Sequence, residues 1–131
     1  MSQRKWSPVD LGREFPTPVG AYSPIVRAGD LLYVSGQVPT DPATGKVVGS
    51  TVAEQTRYVL EKLNKTLNAA GASLSDVVSV SAFLEDMAHW DEFNAAYRAA
   101  FEPPYPTRTT VGRQLHGVLV EVSAIAYAPK G

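Results

Sequence analysis

The chain has 131 residues, with 12 Lys+Arg against 13 Asp+Glu and a formal net charge of −1. A composition 44% hydrophobic and 19% charged is that of a globular chain with its own core, and it excludes disorder over most of the length. The charge balance leaves no clustered basic field for nucleic acid or a membrane surface, and zero cysteines remove disulfides, thiolate metal sites and cysteine nucleophiles together.

Length fits one domain over residues 1–131. Residues 1–18 are Pro-rich and aperiodic and read as an N-terminal arm or loop. The start, Met1 to Trp6, is briefly basic, but Pro8 and Asp10 follow in place of an apolar segment. A signal peptide is therefore not expected, and the cytoplasm is the expected compartment. No stretch reaches the ~18 apolar residues of a membrane span. From Ile25 the chain turns apolar, and Ala28-Gly29-Asp30 supplies turn chemistry before the strand Leu31-Leu32-Tyr33-Val34-Ser35. A loop over 39–49 contains the turn signal Asp41-Pro42-Ala43-Thr44-Gly45.

Thr51-Val52-Ala53-Glu54 fits a capping box at the start of a helix. Thr56, Leu60, Leu63, Leu67 and Ala70 form one stripe at helical spacing, and Gly71 suits the position after the last turn. Asn64-Lys65-Thr66 matches a glycosylation sequon inside this helical pattern and reads as chance. Residues 77–84 predict a strand. A second helix is predicted over 87–101, capped by Asp86, with Trp90, Phe93, Tyr97 and Phe101 on one face and Pro103-Pro104 beyond it.

Residues 107–111 look extended, and 118–127 alternate strongly as a long strand. The order is β-β-α-β-α-β-β, an α+β pattern in which two helices cover one face of a mixed sheet. Helical crossovers favour parallel neighbours, and the opening pair favours an antiparallel hairpin. In the last strand, one face carries Val118, Val120, Val122, Ala124 and Ala126, and the other Leu119, Glu121, Ser123, Ile125 and Tyr127. Neither face is fully polar, so the uncovered one is expected to meet another subunit in a homo-oligomer.

His89 and His116 are the only histidines and share no metal-ligand spacing, so no metal site is expected. No Gly-x-Ser-x-Gly elbow occurs, and Thr40 stands where a phosphate loop ending in Gly45-Lys46 would need its first glycine. Two charges are conspicuous. Glu121 sits inside the most apolar strand, where a carboxylate must be paired, solvated through a cleft or neutralised. Arg108 lies among hydroxyls in Pro106-Thr107-Arg108-Thr109-Thr110-Val111. A surface arginine and an interface ion pair would account for them separately. Together they suggest a pocket with a fixed cation and a carboxylate, suited to a small organic acid.

Six segments carry a resemblance: Gly20-Ala21-Tyr22-Ser23-Pro24, Val34-Ser35-Gly36-Gln37-Val38-Pro39, Asp41-Pro42-Ala43-Thr44-Gly45, Phe93-Asn94-Ala95-Ala96-Tyr97, Pro106-Thr107-Arg108-Thr109-Thr110-Val111 and Val120-Glu121-Val122-Ser123-Ala124-Ile125-Ala126. In this order, over about residues 19–128, they resemble the RidA (YjgF/YER057c/UK114) family of reactive-intermediate deaminases. The resemblance implies a chorismate-mutase-like fold assembled as a homotrimer, with ligand pockets at the subunit clefts. It implies hydrolysis of 2-imino or enamine acids to 2-keto acids and ammonia without a cofactor. By the same resemblance, Arg108 grips the substrate carboxylate, Glu121 helps to hold the attacking water, and the backbone of Thr110 lines the water site. Gly36, after Ser35, contacts the substrate through its backbone, while Tyr22 and Asn94 line the pocket.

Three features depart from the family pattern. Ala21 stands where many members have proline, the connection 112–117 is about two residues short, and Arg113 adds positive charge that favours a larger or dianionic substrate. A trimer that binds small carboxylates without turnover is the alternative function. RNA cleavage or translational inhibition, known among relatives, fits the net charge worst.

Overall fold

Thr51 and Glu54 close the predicted capping box. The Glu54 N–H donates to Thr51 Oγ1 at 3.1 Å and the Thr51 N–H to Glu54 Oε1 at 3.2 Å. Hydrogen bonds from Ser50 and Thr51 hold the Glu54 carboxyl below the usual carboxylate range. Its share of the cap is therefore present at neutral pH and lost as pH falls through that lowered value. Helix α1 (Val52–Ala69) follows. It ends at Gly71, whose φ of +86° a side chain would resist, with the Gly71 N–H bonded to Asn68 O at 3.1 Å and the Ala72 N–H to Leu67 O at 2.8 Å. Thr51→Ala is expected to cost ~0.5–2 kcal/mol, read as a lower denaturant midpoint at unchanged slope.

The computed structural model describes residues 3–130; Met1 and Ser2 of the expected arm, and Gly131, lie outside the described residues. Six strands form one sheet: β1 (Ser7–Pro8), β2 (Ile25–Ala28), β3 (Leu31–Gln37), β4 (Val77–Leu84), β5 (Thr107–Gly112) and β6 (Val120–Tyr127). Their order is β1-β2-β3-β6-β4-β5. The arm thus contributes a two-residue edge strand, where Pro8 is tolerated because an edge needs fewer ladder bonds.

Parallel neighbours are found for β4 and β5, whereas β3 and β4 are separated by β6, which runs antiparallel to both. The physical reason is the apolar character of β6. At an edge it would expose one row of backbone donors and acceptors beside an apolar strand, and a central place pairs both rows. The second helix also differs from its expected span. Asp86 Oδ1 accepts from the Ala88 N–H at 2.9 Å and starts a 3-10 turn, Met87–His89, before α2 (Trp90–Ala100).

Both helices pack on one face, where Leu32, Val34, Val80, Leu84, Val120 and Val122 meet Leu60, Leu63, Leu67 and Phe93. Thr56 lies within this layer, fully buried, with an Oγ1 that has no hydrogen-bond partner among the described residues. Thr56→Val keeps the shape and removes the unpaired hydroxyl, so stability should rise by about 1 kcal/mol in calorimetry. The opposite sheet face carries Ser79, Ser81 and Ser123 among partly exposed Tyr33, Phe83, Ile125 and Tyr127. Nothing among the described residues covers that face, which holds a depression of about 190 Å³.

Candidate active site

Arg108 stands opposite Val80 of β4, which places it on the helix-covered side of the sheet. There α2 supplies the stripe that the sequence predicts. The guanidinium carbon lies 4.6 Å from the ring centre of Tyr97, 5.3 Å from Phe93 and 5.6 Å from Trp90. Rings at this range attract the cation and limit the planes its fork can adopt. Tyr97 is only 3% exposed, whereas Trp90, at the helix start, is 38% exposed. Burial pushes the Tyr97 hydroxyl up in pKa, and the charge of Arg108 opposes it. A cavity of about 290 Å³ opens beside the guanidinium, lined by Asn94, Tyr97, Arg98, Tyr105, Pro106 and Arg108. Thr110, opposite Ala82, points to the same side, and its buried Oγ1 has no partner among the described residues. A water or substrate atom would satisfy it.

Glu121 stands opposite Phe83, on the other side of the sheet. Within one chain, therefore, the structure does not bring Arg108 and Glu121 into one pocket. Their partners on β4, Val80 and Phe83, are an odd number of residues apart, and alternation sends the two side chains to opposite faces. What Glu121 does meet is Gly36. The β3–β6 register shifts between Val34 and Gln37, and a side chain at Gly36 would run into the Glu121 carboxylate. A Cβ there would displace the carboxylate, and glycine leaves it in place.

Tyr22 and Ser35 lie with Gly36 at a second cavity, whose lining does not include Glu121. Ser35 Oγ donates to Ser23 O at 2.6 Å and the Ser35 N–H to Pro24 O at 2.9 Å, tying the segment before β2 to β3. The Tyr22 N–H donates to Gly20 O at 3.0 Å, and a Cβ at Gly20 would meet the Tyr22 ring at 2.8 Å. The tight turn thus fixes Tyr22 without the proline that Ala21 replaces. The ring stays 57% exposed. Tyr22, Ser35 and Gly36 share a cavity of about 240 Å³ with residues of the arm and with Lys62.

Two supporting residues escaped sequence reading. Lys62 reaches from α1 to Val38 O at 3.0 Å and Thr40 O at 2.8 Å, holding the segment after Gly36. Burial lowers its pKa, and Asp41 opposes that. Buried Gln55 donates to Gly49 O at 3.1 Å and accepts from the Leu119 N–H at 2.8 Å, fixing the entry to β6 and so the height of Glu121. A polar residue beside the apolar stripe was the available signal for Gln55; nothing local marked Lys62. Arg113 does not line the Arg108 cavity. Its N–H donates to Leu84 O at 2.9 Å, and the second arginine at the cavity is Arg98.

The sheet thus carries an arginine cavity on its helical side and a glycine–glutamate contact on its open side. The family model described as Endoribonuclease L-PSP matches residues 12–128, and the chain belongs to this family, the RidA (YjgF) family. A RutC family protein of Pyrococcus horikoshii is 42% identical over 114 residues, covering 86% of this chain and 90% of that one. The 2-iminobutanoate/2-iminopropanoate deaminase of Mus musculus is 34% identical over 113 residues, covering 85% and 84%. The crystal structure of yeast Mmf1 superposes with a TM-score of 0.84 at 31% identity, covering 95% of this chain and 99% of that one. No helix among the described residues is long and apolar enough to cross a membrane.

Proposed function

We propose that this protein hydrolyses small 2-imino or enamine acids to 2-keto acids and ammonia. The observation that carries this reading is Arg108, a cation laid over three aromatic rings at a cavity with no carboxylate among its lining residues. A planar guanidinium can hold a substrate carboxylate with two parallel hydrogen bonds, which orients the acid as well as binding it. Glu121, Gly36, Ser35 and Tyr22 form the other half-site. The two halves face one another only if Arg108 of one copy meets Glu121 of another, which supports a homotrimer with sites at the clefts. The uncovered face of the sheet supports the same assembly.

In the assembled site the acid is fixed by Arg108, with Asn94 beside it, and the imine carbon faces a water held by Glu121 and the Thr110 segment. The water oxygen bonds to that carbon as the C=N π pair moves to nitrogen, and Glu121 takes one water proton and hands it to nitrogen, giving a carbinolamine. Glu121 then takes the hydroxyl proton and passes it to the amino group, the carbon–oxygen double bond forms as the carbon–nitrogen bond breaks, and ammonia leaves with the keto acid. An iminium is already electrophilic, so positioning and one proton acceptor suffice.

The test is direct. Threonine dehydratase generates 2-iminobutanoate in situ, semicarbazide traps it, and this protein should accelerate its loss from the trap. Unchanged trapping, with 2-oxobutanoate still bound in calorimetry, would replace hydrolysis by carboxylate binding without turnover.

A further inference from the structure

The Arg108 cavity holds a second guanidinium. Arg98 follows Asn94 by one helical turn on α2, so both side chains leave the same face, and both line the cavity of about 290 Å³ across from β5. Its lining is two arginines, one amide, two tyrosines and a proline. Glu102, the acidic side chain of the loop after α2, lines a different cavity on the other side of Pro106. Two positive charges with no carboxylate in the same lining are more than one substrate carboxylate can neutralise. Like charges sharing a small cavity repel, and the repulsion is relieved when an anion lies near each of them.

Resting on the deaminase reading above, we propose that the preferred substrates are dicarboxylic: imines of acidic amino acids, with the 1-carboxylate on Arg108 and the distal carboxylate on Arg98. A four- or five-carbon dicarboxylate carries one acid group for each guanidinium. The guanidinium is suited to the role because its planar fork matches a carboxylate and stays charged at every working pH. Arg98 is exposed, so its contribution is screened by solvent and salt and falls below that of Arg108. The class of reaction that would supply such a substrate is oxidation of an acidic amino acid at its α-carbon, which releases the imine before water reaches it.

The experiment compares two imines of equal carbon skeleton, 2-iminoglutarate and 2-iminopentanoate, each made in situ by a flavin amino-acid oxidase and competed against semicarbazide. The expected ratio of kcat/KM is roughly three- to tenfold in favour of 2-iminoglutarate, shrinking as salt rises from about 50 to 300 mM. Arg98→Gln should bring the ratio to about one, Arg98→Lys should keep most of it, and Arg98→Glu should invert it. A wild-type ratio near one, or a preference that survives Arg98→Gln, would overturn the inference while leaving the deaminase reading in place. Failure to hydrolyse either imine would overturn both. Because Arg98 is exposed, these variants should fold, which circular dichroism and size-exclusion mass would verify.

Discussion

Arg108→Lys is expected to lower kcat/KM for 2-iminobutanoate by roughly tenfold to hundredfold. Lysine keeps the charge but replaces a planar fork with a point ammonium, so at least one of two charged hydrogen bonds to the carboxylate is lost. At ~1.5–3 kcal/mol per charged bond, that loss alone spans the stated range. Misalignment of the imine with its water adds to it. The three rings under Arg108 sharpen the expectation, because they orient a flat guanidinium and give an ammonium no comparable plane. Stability should fall by no more than about 1 kcal/mol, since a cation over the rings is retained. Full activity in the variant would mean that the carboxylate is held elsewhere.

Glu121→Gln should do something different. It keeps the shape beside Gly36 and removes the proton acceptor, so kcat should fall by about 10²–10⁴-fold with KM little changed. The two variants also test where the site is built. Arg108 and Glu121 lie on opposite faces of one sheet, so each complete site would draw them from different copies. Mixing Arg108→Lys and Glu121→Gln chains by co-refolding should regenerate sites that carry both native residues, up to on the order of a quarter of all sites in a random trimer. No recovery, with mixed trimers present by native mass spectrometry, would place both residues in one copy's site and contradict the divided arrangement.

Much of the secondary structure was legible because its causes are local. Thr51, Glu54 and Gly71 act within a few residues of the backbone groups they satisfy, and they bound α1 as the sequence predicts. The stripe Phe93, Tyr97 and Phe101 follows from helical period alone, and all three are buried. The short edge strand Ser7–Pro8 was not legible, because two residues carry no periodicity and pair only when β2 is already placed.

The sequence by itself determined α1, most of α2, five of the six strand segments and the faces within them. Family membership followed from motifs in their order. Tertiary structure alone decided that β6 sits between β3 and β4, since strand order depends on pairings far apart in the chain. That order, with its register, sends Arg108 to the helical side and Glu121 to the open one, a parity no single segment contains. It also brought Gln55 to Leu119 and Arg98 to the Arg108 cavity. These placements depend on how the helices dock on the sheet, which no single segment contains.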